Sequence, residues 1–163
     1  MKTSLKVFWL GMFIYAISFC LVALGETTLS PGKDPLLGFA CAFMAFILPF
    51  MHVQDALSHN VPLPFPAWVY IYILICGWIN PVFIVSAVLY LIGRYSRAVA
   101  ILRIVLLSMI PFTWIFAFYY LRTYPREGYF LWIIGMLLVL FSEQIGTIFN
   151  SQRHFVTATK TSA

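Results

Sequence analysis

Charge is the scarcest feature of this sequence. Ten Lys or Arg and five Asp or Glu make up 9% of its 163 residues, where an ordinary soluble domain carries roughly a quarter. Hydrophobic residues make up 63%, and mean hydropathy is +0.95. So little polar surface cannot cover a globule in water, and lipid is the expected solvent. Cysteine is scarce too. Cys20, Cys41 and Cys76 all fall in apolar runs with no CxxC pair, which excludes a disulfide framework and a cysteine metal or redox motif and leaves three inert, buried thiols. Catalytic signatures are missing: there is no GxSxG elbow, no HExxH, no Gly-rich phosphate loop and no acid-base pair of carboxylates. No helix carries the row of polar side chains that a wide aqueous pore needs. The formal charge of +5 does not mark a nucleic-acid binder, because Lys and Arg are scattered at the ends of apolar runs rather than gathered in a stripe.

What the chain does have is five apolar runs, at 7–24, 36–53, 67–93, 98–121 and 129–150. The run from Ala67 to Gly93 has no charge over more than the roughly 20 residues that cross a bilayer, and it ends at Arg94. The first run follows Lys2 and Lys6 and precedes Ala23-Leu24-Gly25. It reads as a retained signal-anchor helix, with a cleaved signal peptide as the alternative. Residues 25–35 form a turn-rich polar connection, 58–66 a proline-stiffened link without helix or strand, and 122–128 a third link. The second run is broken by Pro49. Its Gly38, Ala42 and Ala45 recur at helical spacing and suit close helix approach, unless composition alone put them there. Trp68, Tyr70 and Tyr72 at one end of the third run, and Tyr90 and Tyr95 at the other, resemble interfacial aromatic belts. Residues 151–163 read as a polar, disordered tail on a single helical domain, 1–150.

Topology follows from the basic residues. With five full spans and the amino terminus inside, only Lys2, Lys6, Arg122 and Arg126 fall on the inner side, against the positive-inside rule. If the second run re-enters instead, Lys2, Lys6, Arg94, Arg97, Arg103, Arg153 and Lys160 all lie inside, leaving Lys33, Arg122 and Arg126 outside. The expected fold is therefore an all-α integral membrane protein with four transmembrane helices plus one re-entrant, tilted or fifth spanning helix, and a cytoplasmic amino terminus.

Three groups of polar residues are candidate sites. Arg103 lies five residues into its run, and Glu143 seven before the end of the next. In antiparallel helices both sit roughly 8 to 10 Å below the same face. They are expected to pair, either as an ion pair fixing helix register or as part of a proton or ion relay through Glu143, unless Arg103 snorkels to the headgroups. Asn80 before Pro81 marks a helix kink near mid-membrane, with an amide free to bond a carbonyl or a neighbouring helix. His52, Asp55 and His59, at i, i+3 and i+7, share one helix face and match the ligand set of zinc or non-haem iron. Glu26 or Asp34 would complete that shell. Bis-histidine haem is disfavoured because no second apolar run supplies a histidine.

Trp78-Ile79-Asn80-Pro81, the basic turn that follows, and the start Gly128-Tyr129-Phe130-Leu131-Trp132 resemble small uncharacterised bacterial multi-spanning inner-membrane proteins over roughly the latter half of the chain. The resemblance implies a bacterial inner-membrane location and carries over no function, since no activity is assigned to those proteins. The expected role is non-catalytic. The chain would contact the helices of another membrane protein within the bilayer, as an accessory subunit or an immunity-type inhibitor, without nucleic acid or an obligatory cofactor. The alternatives are a small oligomeric transporter using Glu143 and Asn80, and a metal-dependent membrane protein using His52, Asp55 and His59.

Overall fold

The computed structural model describes residues 3–25, 35–59, 62, 66–93, 96–115 and 124–161. The expectations for Glu26 and Asp34, for Lys2, Lys33, Arg94, Tyr95 and Arg122, for much of the links at 25–35, 58–66 and 122–128, and for the end of the fourth run at 116–121 lie outside these residues.

Helix α1 spans Thr3–Ser18 and stops short of the expected Leu24. Ser18 turns its hydroxyl back onto the Tyr15 carbonyl at 2.6 Å, and the amides of Phe19, Cys20 and Leu21 bond three residues back, so the last turn tightens and the chain leaves the helix. It opens into strand β1, Val22–Gly25, which pairs antiparallel with β2, Leu36–Leu37, on one edge and β3, Tyr124–Pro125, on the other. This small sheet, in the order β2-β1-β3, is not foreshadowed by the hydropathy pattern. It bonds backbone groups that would otherwise stand unpaired where three chain segments reverse direction.

Helix α2, Gly38–His59, begins on the end of α1. Its Gly38 and Phe39 amides donate to the carbonyls of Leu21 and Phe19 at 2.9 and 3.1 Å. A Cβ at Gly38 would stand 2.5 Å from the Ser18 oxygen, so only glycine allows that approach. The helix passes through Pro49 unbroken and reaches His59, into the stretch expected to hold no helix. Helix α3, Ala67–Ile92, closes on Gly93 at φ 67°, whose N–H bonds the Tyr90 carbonyl. Ala45 lies against Gly77 and His52 against Tyr70, so α2 runs antiparallel along the first half of α3. Helix α4, Ser96–Ile115, returns antiparallel to α3, with Phe112 on the Tyr72 ring and Arg103 on the Tyr90 ring.

The last apolar run, expected as one helix over 129–150, is two. Helix α5, Glu127–Leu140, and helix α6, Ser142–Thr161, meet at 67°. Phe141 makes the break without proline or glycine. Its N–H reaches both the Leu137 and Val139 carbonyls, and helical bonding resumes from Ile145 to its own carbonyl. Residues 151–161, expected to be disordered, continue α6 as helix.

Helices α1 and α5 pack closely in one antiparallel register. Gly128 lies against the Val22 carbonyl and Gly135 against the Tyr15 backbone, and in α6 Gly146 lies against Ser4. The main core joins Phe8 and Tyr15 of α1, Ile79, Phe83 and Ala87 of α3, Leu106 and Met109 of α4, and Met136, Val139 and Leu140 of α5. A smaller cluster, Val69, Tyr70 and Ile73 with Leu48, ties α2 to α3. Large apolar side chains also cover the outside, including Phe13, Phe43, Ile101 and Ile104. Helices α2, α3 and α4 are each long and apolar enough to cross a membrane, and α5 with α6 adds a fourth if the bent pair is one span. Helix α1, at 16 residues, falls short of the roughly 20 that a span needs. The irregularity expected in the second run thus lies in the first and last.

Candidate functional site

The second half of α3 places Asn80 where α1 and α5 both face it. Tyr15 O–H donates to Asn80 Oδ1 at 2.9 Å, and Trp132 Nε1–H donates to the same oxygen at 2.8 Å. An indole N–H is only ever a donor, so the atom it meets must be the amide oxygen and the orientation of the amide is fixed. One oxygen therefore pins three helices. The Asn80 NH2 group is left with two donors and no hydrogen-bond partner among the described residues. Helix α3 continues through Pro81, which has no N–H to give the Gly77 carbonyl.

Asn80 lines a partly open cavity of about 310 Å³ bordered by the end of α1, the sheet, α2, α3, α4 and the start of α5. Its wall is mostly apolar, and no Lys, Arg, His, Asp or Glu belongs to it among the described residues. Besides Asn80, Tyr129 and Thr113 bring polar atoms. Thr113 spends its one hydrogen on the Ile110 carbonyl at 2.7 Å, so across the 2.7 Å contact between the two hydroxyls Tyr129 is the donor. The cavity is at the low end of ligand-site volumes, with few polar groups in an apolar wall.

The other candidates lie elsewhere. Arg103 Nη1 is 3.6 Å from Glu143 Oε2, and the guanidinium also sits 5.5 Å from the centre of the Tyr90 ring, itself stacked on Phe8. Glu143 is not inside a straight apolar helix as expected. It is the second residue of α6, just past the break, in the first turn where the helix dipole favours a carboxylate, and its side chain is 57% exposed against 18% for Arg103. No hydrogen bond joins Asn80 to Glu143.

The proposed metal face is not assembled. Among the described residues no three of His, Cys, Asp and Glu form a group able to hold a metal ion. Seven helical residues advance roughly 10 Å, too far for His52 and His59 to share an ion without bending the helix. His52 Nδ1 is instead 3.3 Å from the Tyr70 hydroxyl, while Asp55 and His59 are exposed on the last turns of α2. The expectation of three buried thiols is also corrected: Cys20 is exposed, Cys41 half-buried and Cys76 buried.

Sequence reasoning found Asn80 but not its partners. The available signal was Tyr15, a hydroxyl in the middle of the first apolar run, which must find an acceptor if it is buried. Trp132, five residues inside α5, carries the same message. Gly77 and Gly135, where backbones meet, were equally legible as small residues in large apolar runs. Comparison with family models, with curated proteins and with solved structures gave no match to this chain.

Proposed function

We propose that this chain is an integral membrane protein that acts by non-catalytic helix contacts inside the bilayer, with α2 as the docking helix and a helix of another membrane protein as its partner. The observation that carries this reading is the outer face of α2. Phe39, Phe43, Phe46, Phe50, Val53 and Leu57 alternate at spacings of four and three, the a/d pattern of a helix seam, and all six are exposed. Pro49 is the helix's one buried residue. A groove of about 530 Å³ runs beside the seam, lined by Phe50, Val53, Leu57, Tyr70 and Leu74 among others. An accessory subunit of a larger complex fits this arrangement, and so does an immunity-type inhibitor that meets a toxin within the membrane.

The location we propose is a bacterial inner membrane, with the amino terminus cytoplasmic. In support, Thr3 bonds Asn150 and Phe8 stacks on Tyr90, so the start of α1, the end of α3, the start of α4 and α6 share one end of the molecule. Lys6, Arg97 and Arg103 lie towards that end and Arg126 at the other, the asymmetry that the positive-inside rule requires. Transport through Asn80 and Glu143 has less support, because the Asn80 oxygen is committed to Tyr15 and Trp132 and Glu143 is bonded to Arg103.

The test is purification in mild detergent, native against Phe43→Ala/Phe50→Ala, with mass spectrometry of what co-purifies. A stoichiometric second protein that is lost from the variant supports the reading. A chain that comes out alone, or only with copies of itself, overturns it.

A further inference from the structure

The cavity beside Asn80 is built for a ligand that the docking role of α2 does not need. Among the described residues its wall carries no ionised side chain, so a phosphate, carboxylate or ammonium entering it would lose hydration without compensation from them. An apolar guest does not meet that cost. Yet the cavity is not purely apolar. With its oxygen held by Tyr15 and Trp132, the Asn80 amide can offer the cavity only N–H donors, and neither has a partner among the described residues. A half-buried donor set against an apolar wall calls for an acceptor. The Tyr129 and Trp132 rings add flat surfaces to the wall. On one side the wall is α2, which packs chiefly on α3 and meets the end of α1 at Gly38.

We propose that this cavity binds a neutral, chain-bearing carbonyl compound of the bilayer, its carbonyl oxygen accepting from Asn80 Nδ2–H and its apolar body filling the space between α2, α3 and α5. Two membrane components share this chemistry: an isoprenoid quinone and a neutral glyceride ester. No covalent or redox step is involved.

The three native cysteines provide the readout. Cys41 and Cys76 line the cavity, while Cys20 lies outside it and is exposed. The full chain in detergent is labelled with N-ethylmaleimide, and the rate at each cysteine is followed by peptide mass spectrometry. Labelling is run with decyl-ubiquinone, with dioctanoylglycerol, with decylbenzene or with no addition. At about ten times its dissociation constant, a bound probe slows Cys41 and Cys76 about tenfold by mass action and leaves Cys20 unchanged. Protection by the quinone alone, or by the glyceride alone, supports the proposal and names the source. Protection by neither overturns it. Equal protection by decylbenzene overturns the carbonyl contact, and with it the proposal. Ala42→Phe, which puts a bulky ring into the cavity wall on α2, is expected to abolish protection; full protection in a folded Ala42→Phe also counts against the site. If that variant does not fold, the comparison with decylbenzene in the native chain still decides.

Discussion

Asn80 Oδ1 accepts from two donors, Tyr15 and Trp132, that would otherwise face an apolar interior. Replacing Asn80 with Leu keeps the size and strands both donors, which costs about 2–6 kcal/mol, since each unsatisfied buried group costs roughly 1–3. Unfolding in mixed micelles measures this, and a loss below about 1 kcal/mol would mean that the pin is not what holds these helices. Trp132→Phe removes one of the same bonds. In a double-mutant cycle with Asn80→Leu the two losses should fall well short of additive. Glu143→Gln should behave differently. Its pair with Arg103 is 3.6 Å long and half in solvent, so the expected loss of stability is under about 1 kcal/mol by the same unfolding assay. At this scale the sequence was half legible. Asn80 and Tyr15 stand out as polar groups in apolar surroundings, but which of them meet depends on helix rotation, which composition does not encode.

Glycine placement decides how the elements approach. A Cβ at Gly135 would lie 2.6 Å from the Tyr15 backbone nitrogen, so Gly135→Ala must push α1 and α5 apart, at a cost of about 1–3 kcal/mol. Gly93 is the control. Its surroundings are open, and only its left-handed backbone resists a side chain, so Gly93→Ala should cost about 1 kcal/mol. A loss well under about 1 kcal/mol for Gly135→Ala in a thermal melt would contradict close packing of α1 on α5. Apolar runs located α3 almost to the residue and the start of α4 within two, because their ends coincide with Gly93 and Arg97. Hydropathy failed where the chain stays apolar but stops being helical. Leu21 to Leu24 are as greasy as the helix before them, yet they turn and form β1. Phe141 breaks the last run with no residue that announces a break.

At the scale of the whole molecule, the unusual feature is how much apolar surface faces outward and how little is enclosed. If that surface is lipid-facing, as we propose, alkaline carbonate should leave the chain in the membrane pellet, and its release into the supernatant would contradict a spanning arrangement. Sequence composition pointed to long apolar helices at once, whereas the pairing of the first helix with the fifth was hidden, since nothing local in α1 names so distant a partner. That pairing sets a timetable. Tyr15 and Gly135, which pack backbone to backbone, are 120 residues apart in the chain. A ribosome adding roughly 5–20 residues per second needs about 6–24 s to supply the second after the first. During that interval α1 has its glycine face bare and β1 lacks one of its two neighbours. A chain stopped before residue 124 never receives either, so arrested or truncated products should be degraded rapidly in a pulse-chase, while the full chain persists. The last third of the sequence thus decides the fate of the first.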